Sequence, residues 1–384
     1  MTKIVYVVGG LSRIDGMSQV LSQKINYLAE NTDYDIHVVL TENTGKPFCY
    51  KMSPKIHLIN FDINFDELDT MPIYKKIVHY AVKQRKYKKA FYRFLMELRP
   101  DITVSTMRRE INFINSIPDG SRKIGEIHFN KSNYRQFNAP FLPKAVCRHI
   151  SNSWMKKLMK EINKLDRFIV LTHEDKCEWH GINNIEVIPN PIARYPGQDY
   201  VSDTSSKNVI AAGRYTWQKG FDLLIEAWDH VAPTHPDWTL NIYGNGNNEP
   251  FQKMAKEKGV AEYVVCNAAV QNIYEKYKES SIFVLSSRYE GFGLVLTEAM
   301  SCGLPAVSFA CPCGPRDIIT DNVDGFLVEK ENPKALAEKI NLLIENAELR
   351  KDMGAKARQN TVRFKEEPIM RKWIALFDSL IQKQ

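Results

Sequence analysis

The stretch "SSRYEGFGLVLTEAMSCGLPAV", residues 286–307, decides how the chain is read. Just before it, "SIFVLSS" is a short apolar run of the kind that forms a buried parallel strand. "RYEGFG" is loop chemistry, and "LVLTEAMSCG" reads as a helix that Gly303 ends by adopting positive φ. Strand, glycine loop and helix in that order put a helix N-terminus at the carboxyl end of a strand. In doubly wound sheets that is where ligands bind. Unpaired N–H groups and a partial positive charge make such a terminus a phosphate receptor. Gly291 and Gly293 let the backbone come close, so that Gly293, Leu294 and Val295 offer amides, with Phe292 between the glycines.

Two carboxylates bracket this receptor. Glu298 lies more than one turn into the helix, too far to meet a phosphate at its start. It is placed to accept hydrogen bonds from sugar hydroxyls, as an acidic residue does for ribose in dinucleotide folds. Glu290 precedes the helix and faces whatever is attached beyond the phosphate. A nucleotide-sugar has this order of groups. The competing reading makes the two glutamates a helix-capping acid and a solvated charge.

A second loop, "GRYTWQKG", follows the apolar run "NVIAA". Arg214 grips a diphosphate bidentately and Lys219 acts as a point charge. Read singly, they are two solvated side chains on a loop.

Outward from these loops, each half of the chain alternates short apolar strands with helical segments. "KIVYVV", "DIHVVL", "DITVST" and "RFIVLT" mark the first half; "NVIAA", "TLNIYG", "SIFVLSS" and "PAVSFA" mark the second. Val20, Leu21, Ile25 and Leu28 recur at helical spacing, as do Phe221, Leu224, Ile225 and Trp228. Such alternation predicts α/β domains with parallel sheets. The Pro-, Ser- and Asp-rich segment from Asn190 to Ser206 reads as the boundary. We therefore expect an N-terminal Rossmann-like domain over 1–190, completed by a C-terminal helix at about 368–384. A second such domain covers 191–367, and the two sheets face a central cleft; the resemblance described below makes the first the acceptor side and the second the donor-binding side.

Composition sets bounds. The chain has 384 residues, 44% hydrophobic and 25% charged, with 52 Lys+Arg against 45 Asp+Glu and a net charge of +7. That is a globular chain with a mild preference for anionic partners. The seven cysteines have no repeating spacing. They read as reduced thiols, and Cys302, Cys311 and Cys313 lack the paired spacing of a zinc site. No signal peptide or membrane span is evident. A cytoplasmic protein is expected.

"GRYTWQKG", "YEGFGLVLTEAMSCGLPAV" and "CGPRDIITDNVDGFLV", in this order, resemble the donor-binding half of GT-B glycosyltransferases of family 4. Glu290 and Glu298 match that family's E-x7-E pair, and Arg214 and Lys219 match its R-x4-K positions. The likeness is strong over 208–330 and weak in the first half. It implies a GT-B fold and retaining transfer of a hexose or N-acetylhexosamine from a nucleotide-sugar to a glycan or lipid-linked acceptor in surface polysaccharide synthesis. UDP is the favoured nucleotide; GDP and ADP remain open. It implies no cofactor and no metal. By the same likeness Glu298 holds the ribose, Glu290 contacts the sugar, and Gly291, Phe292, Gly293, Leu294 and Val295 with Arg214 and Lys219 hold the diphosphate.

In the first half, "GEIHFNKSNYR" carries His128 beyond a strand end. Family likeness places it near the transferred sugar; a hydrogen-bonded loop histidine is the alternative. Gly16 is aligned with the second glycine of the family's first-helix pair, where the backbone nears donor phosphate or acceptor. Arg13 is an additional anion contact. The segment "IYKKIVHYAVKQRKYKKAFYRFLMELRP" mixes nine Lys/Arg with tyrosines and phenylalanines. It reads either as a helix lying peripherally on an anionic inner membrane face or as a solvated face with core aromatics.

Three other readings compete. A nucleotide-sugar epimerase on this architecture turns over donor without acceptor. A dehydrogenase needs GxGxxG after the first strand, which "GGLSRIDG" does not supply. A protein binding an anionic polymer such as nucleic acid shows steep salt dependence. None explains the glutamate pair together with Arg214 and Lys219, so no nucleic-acid partner is expected.

Overall fold

The computed structural model describes residues 1–12, 15–42, 48–134, 137 and 142–382. Arg13 lies outside them. The chain divides into two compact units. The first comprises Met1–Leu171, Lys176–Ile188 and Met370–Gln384; the second comprises Thr172–Asp175 and Pro189–Ile369.

The first unit carries seven strands: β1 (Lys3–Val8), β2 (Asp35–Leu40), β3 (His57–Asn60), β4 (Ile102–Ser105), β5 (Arg122–Glu126), β6 (Arg167–Val170) and β7 (Ile185–Val187). They form one sheet in the order β3-β2-β1-β4-β5-β6-β7, with every pair parallel. β1 is an interior strand, and Ile4, Val5, Tyr6, Val7 and Val8 are all buried, as a strand covered on both faces requires. The order reverses between β1 and β4. Gly9 and Gly10 follow β1 as a packing joint. A Cβ on Gly9 would meet the Arg108 guanidinium at 2.5 Å, and one on Gly10 would meet the Glu42 carbonyl oxygen at 2.7 Å. Asp15 then caps the helix Gly16–Asn31 by accepting from the Ser18 N–H at 2.8 Å. Gly16 is thus the first helical residue. From the C-terminal helix Glu366–Ile381, Tyr34 receives Asp378 as a hydrogen-bond acceptor at 2.8 Å, and Trp373 is buried.

The second unit carries β8 (Asn208–Ala212), β9 (Thr239–Gly244), β10 (Val264–Ala268), β11 (Ile282–Leu285), β12 (Ala306–Phe309) and β13 (Gly325–Val328). The order is β10-β9-β8-β11-β12-β13, again all parallel. The helix Phe221–Val231 lays Phe221, Leu224, Ile225 and Trp228 into a core shared with Val209, Leu240 and Ile340. In this sheet the order reverses between β8 and β11.

Candidate functional site

In the second unit, two loops leave the carboxyl ends of β8 and β11, the adjacent strands at the reversal. They touch backbone to backbone. Gly220 ends the first loop at φ 60°, and a Cβ there would meet the Ser286 carbonyl oxygen at 2.1 Å. The Ser286 hydroxyl donates to the Lys219 carbonyl at 2.9 Å, and the Arg288 N–H donates to the Gln218 carbonyl at 2.8 Å. Arg288 forks onto Asp222 at 2.8 and 2.6 Å and reaches the Trp217 carbonyl at 2.7 Å. Burial pushes the Asp222 carboxyl up, but the hydrogen bonds and charge of Arg288 outweigh it and hold it below its ordinary value.

This clamp sets Lys219 against Glu290. The Lys219 Nζ donates to Glu290 Oε1 at 2.7 Å, and the Ser287 hydroxyl donates to the same oxygen at 2.6 Å. The Glu290 N–H is tied to the Pro312 carbonyl at 3.0 Å. An ammonium has three N–H donors, so two of Lys219's are uncommitted. Among the described residues Glu290 Oε2 likewise accepts no hydrogen bond. Arg214 is exposed, and among the described residues its guanidinium makes no hydrogen bond or ion pair. The structure therefore joins Glu290 to Lys219 and leaves Arg214 apart.

The helix Leu294–Ser301 begins at Gly293, whose φ of 100° favours glycine. Leu296 and Thr297 already bond back to the Gly293 carbonyl at 3.0 and 3.3 Å. The Leu294 and Val295 amides are the open donors of the first turn. Gly291 has no positive φ; the left-handed turn falls at Gly293 alone. Phe292 turns its ring inward against Phe364, centroids 5.6 Å apart, so only its backbone faces this turn. The next loop packs on it, because a Cβ on Gly314 would meet the Phe292 carbonyl oxygen at 1.9 Å.

Glu298 is buried, and among the described residues its carboxylate has no hydrogen-bond partner. Burial pushes its carboxyl up to about 7. The buried Tyr277 phenol is pushed up by burial first and by Glu298's charge second. A buried carboxyl without a donor is an open acceptor. Burial also pushes the Cys311 and Cys313 thiols up, and among the described residues these cysteines enter no cluster of three potential metal ligands.

In the first unit, His128 follows β5, and its ring is buried 3.2 Å from Glu126 Oε1. Glu126, the last residue of β5, also receives the ammonium of Lys24. Lys24 sits over the Trp373 ring, 3.9 Å from its centroid, and 5.3 Å from that of Tyr6. Burial would raise the Glu126 carboxyl; Lys24 and His128 together outweigh it and hold it at about 2. Lys24 and Glu126 were not foreseen from sequence. The available signal was a lysine on the apolar face of the Gly16–Asn31 helix and a glutamate closing a buried strand. A groove of about 620 Å³ lies in the same unit, with Lys131, Lys144 and Arg148 facing Tyr134, Phe137 and Met155.

Residues 198–360 match the family model described as glycosyl transferases group 1. An uncharacterized glycosyltransferase of Haemophilus influenzae is 32% identical over 216 residues, 55% of this chain and 61% of that protein. The matched region thus spans under two thirds of that relative. An amylovoran biosynthesis glycosyltransferase of Erwinia amylovora, AmsD, is 26% identical across 97% of this chain and 99% of its own. Among solved structures, a Staphylococcus aureus TarM variant bound to fondaparinux, alpha-GlcNAc-glycerol and UDP superposes with a TM-score of 0.75 at 19% identity. The match covers 98% of this chain and 100% of that one, a likeness of fold.

Proposed function

We propose that this chain, which belongs to the glycosyl transferases group 1 family through residues 198–360 and has the GT-B fold, moves a hexose or N-acetylhexosamine from a nucleotide-sugar to a glycan or lipid-linked acceptor. The observation that carries this is the buried, unpartnered Glu298 one turn inside a helix whose first amides are open. A diphosphate satisfies the amides, and ribose hydroxyls satisfy the carboxylate. UDP is the favoured nucleotide, supported by its presence in the TarM structure.

In this reading Lys219, held by Glu290 and Ser287, spends its two open N–H groups on the diphosphate. Arg214 adds a second cation. Charge develops on the leaving phosphate in the transition state, so fixed cations and amides act there more than on bound donor. Glu290 Oε2 accepts from a sugar hydroxyl. Transfer is retaining: the acceptor hydroxyl forms its bond to the anomeric carbon on the face from which the diphosphate leaves. The departing phosphate oxygen takes its proton. No metal is required, since Lys219, Arg214 and the amides carry the charge. His128 orients a sugar hydroxyl.

Anionic membrane contact belongs to the same proposal. The helix Ile73–Leu98 buries Tyr87, Phe91 and Leu95 but exposes Tyr74, Ile77, Val78 and Val82 beside Lys75, Lys86, Lys88 and Lys89. Apolar and basic side chains on one exposed surface suit an anionic bilayer. Among the described residues no helix is long and apolar enough to cross a membrane. Co-sedimentation with anionic but not neutral vesicles is expected, weakened by raising salt; equal failure with both removes this part.

The central test is calorimetry with UDP, GDP and ADP near pH 7. Hydroxyl donors favour the charged form of Glu298, so nucleotide binding releases a proton. The apparent enthalpy then depends on the buffer's ionisation heat, and that dependence vanishes in Glu298→Gln. A buffer-independent enthalpy for the wild type would overturn the ribose assignment.

A further inference from the structure

We propose that Asp35, His37 and His57, at the amino-terminal edge of the first unit's sheet, form a site for a divalent transition metal of the zinc class. The backbone sets the cluster. β2 and β3 are parallel, and His37 pairs in register with His57. Asp35 precedes His37 by two residues, so all three side chains stand on one face of the sheet. The His37 Nε2 lies 3.1 Å from Asp35 Oδ2, and the His57 Nε2 lies 3.2 Å from Oδ1. The two rings stack with centroids 4.6 Å apart and planes 19° apart, and the edge of Phe94 closes one side at 6.4 Å. One potential ligand atom from each residue falls within 4.8 Å of the others.

A second observation points to a ligand. The His37 Nε2 is buried and has no hydrogen-bond partner among the described residues, although Asp35 Oδ2 lies 3.1 Å away. Two imidazole nitrogens aimed at one carboxylate suit zinc-class ions; calcium and magnesium prefer all-oxygen shells. Zinc holds nitrogen at about 2.0–2.1 Å, which requires donors roughly 3.3 Å apart in a tetrahedron. The shortest Asp35–His37 and Asp35–His57 separations already lie near this spacing. The His57 side chain is 62% exposed against 12% for His37. The same exposure is the entry path and leaves the fourth position to water. β3 is a four-residue edge strand, largely exposed, and an ion here would pin it to β2. The site lies at the strand starts, whereas ligands of such sheets bind at strand ends. Its role is therefore structural, independent of the transfer reaction.

The test uses the full chain, treated with a chelator, in a Cys49→Ser/Cys177→Ser background, because both thiols are exposed. Titration with Zn²⁺ and Co²⁺ is expected to give one equivalent of binding at pH 7.5. The Co²⁺ spectrum should lack a thiolate charge-transfer band. His57→Gln and Asp35→Asn should each weaken binding by about tenfold or more and remove the zinc-induced rise in Tm. Undiminished zinc affinity in both variants would overturn the site, as would no binding by the parent.

Discussion

Each unit pairs a lysine with a glutamate, and the two pairs are built to opposite ends. Lys24 and Glu126 have side chains 1% and 2% exposed, with Trp373 stacked on the ammonium and His128 on the far side of the carboxylate. Lys219 and Glu290 are 13% and 7% exposed, each with hydrogen-bonding capacity left over. A sealed pair has no partner to exchange and can only fix its neighbours. A half-open pair can give up donors and acceptors to a ligand.

Stability measurements break or uphold this contrast most sharply. Removing one partner of a buried pair strands the other charge, at about 3–5 kcal/mol. Lys24→Met should lower the unfolding free energy in urea by that much. Adding Glu126→Gln should restore part of the loss. Lys219→Met should cost about 1 kcal/mol or less, because Glu290 keeps Ser287 and lies nearer water. Equal costs for the two lysines would end the distinction.

Activity should show the reverse order. Lys219→Ala should lower kcat/KM by about 10²–10³, the scale of one transition-state charge contact, with a small change in Tm. An unchanged kcat/KM would return Lys219 to a structural role.

Glu298 extends the comparison to a carboxyl with no partner. Its folded-state pKa of about 7 lies above the ordinary 4.5. A raised folded value means stability that is present below pH 4.5 and lost as pH rises to 7. The ligand-free wild type should therefore lose stability over that window by an amount on the order of 3 kcal/mol. Glu298→Gln should flatten the profile and exceed the wild type at pH 8. Parallel profiles would show that the carboxyl is solvated.

These contrasts explain what could be read from sequence. β1, β8 and β11 are nearly continuous apolar runs and were legible because both their faces are buried. β3 and β7 were not. "HLIN" is mostly exposed, and Ile185–Val187 lies where turn-rich sequence begins. The phosphate loop was legible because glycine, strand and helix signals are local. The ion pairs were not, since Lys219 is 71 residues from Glu290 and Lys24 is 102 from Glu126. Lys24 was also hidden by its type, because an unpaired lysine is expected in water.

The smallest expected effect separates two arginines of one site. Arg288 is spent on Asp222 and the Trp217 carbonyl, with Trp217's ring 4.7 Å from its guanidinium carbon. It holds two loops together. Arg214 is exposed, and among the described residues its guanidinium has no partner. Arg214→Ala should leave Tm within the range of neutral surface changes, about 0.5 kcal/mol. Its mark should be a several-fold weaker UDP affinity, about 1 kcal/mol, and a shallower salt dependence, since an exposed cation acts through a screened field. Arg288→Ala should instead lower Tm and weaken UDP indirectly, with the salt dependence unchanged. If Arg214→Ala alters Tm but not the salt slope, the two arginines exchange roles, and the diphosphate is held by Lys219 and the helix amides without it.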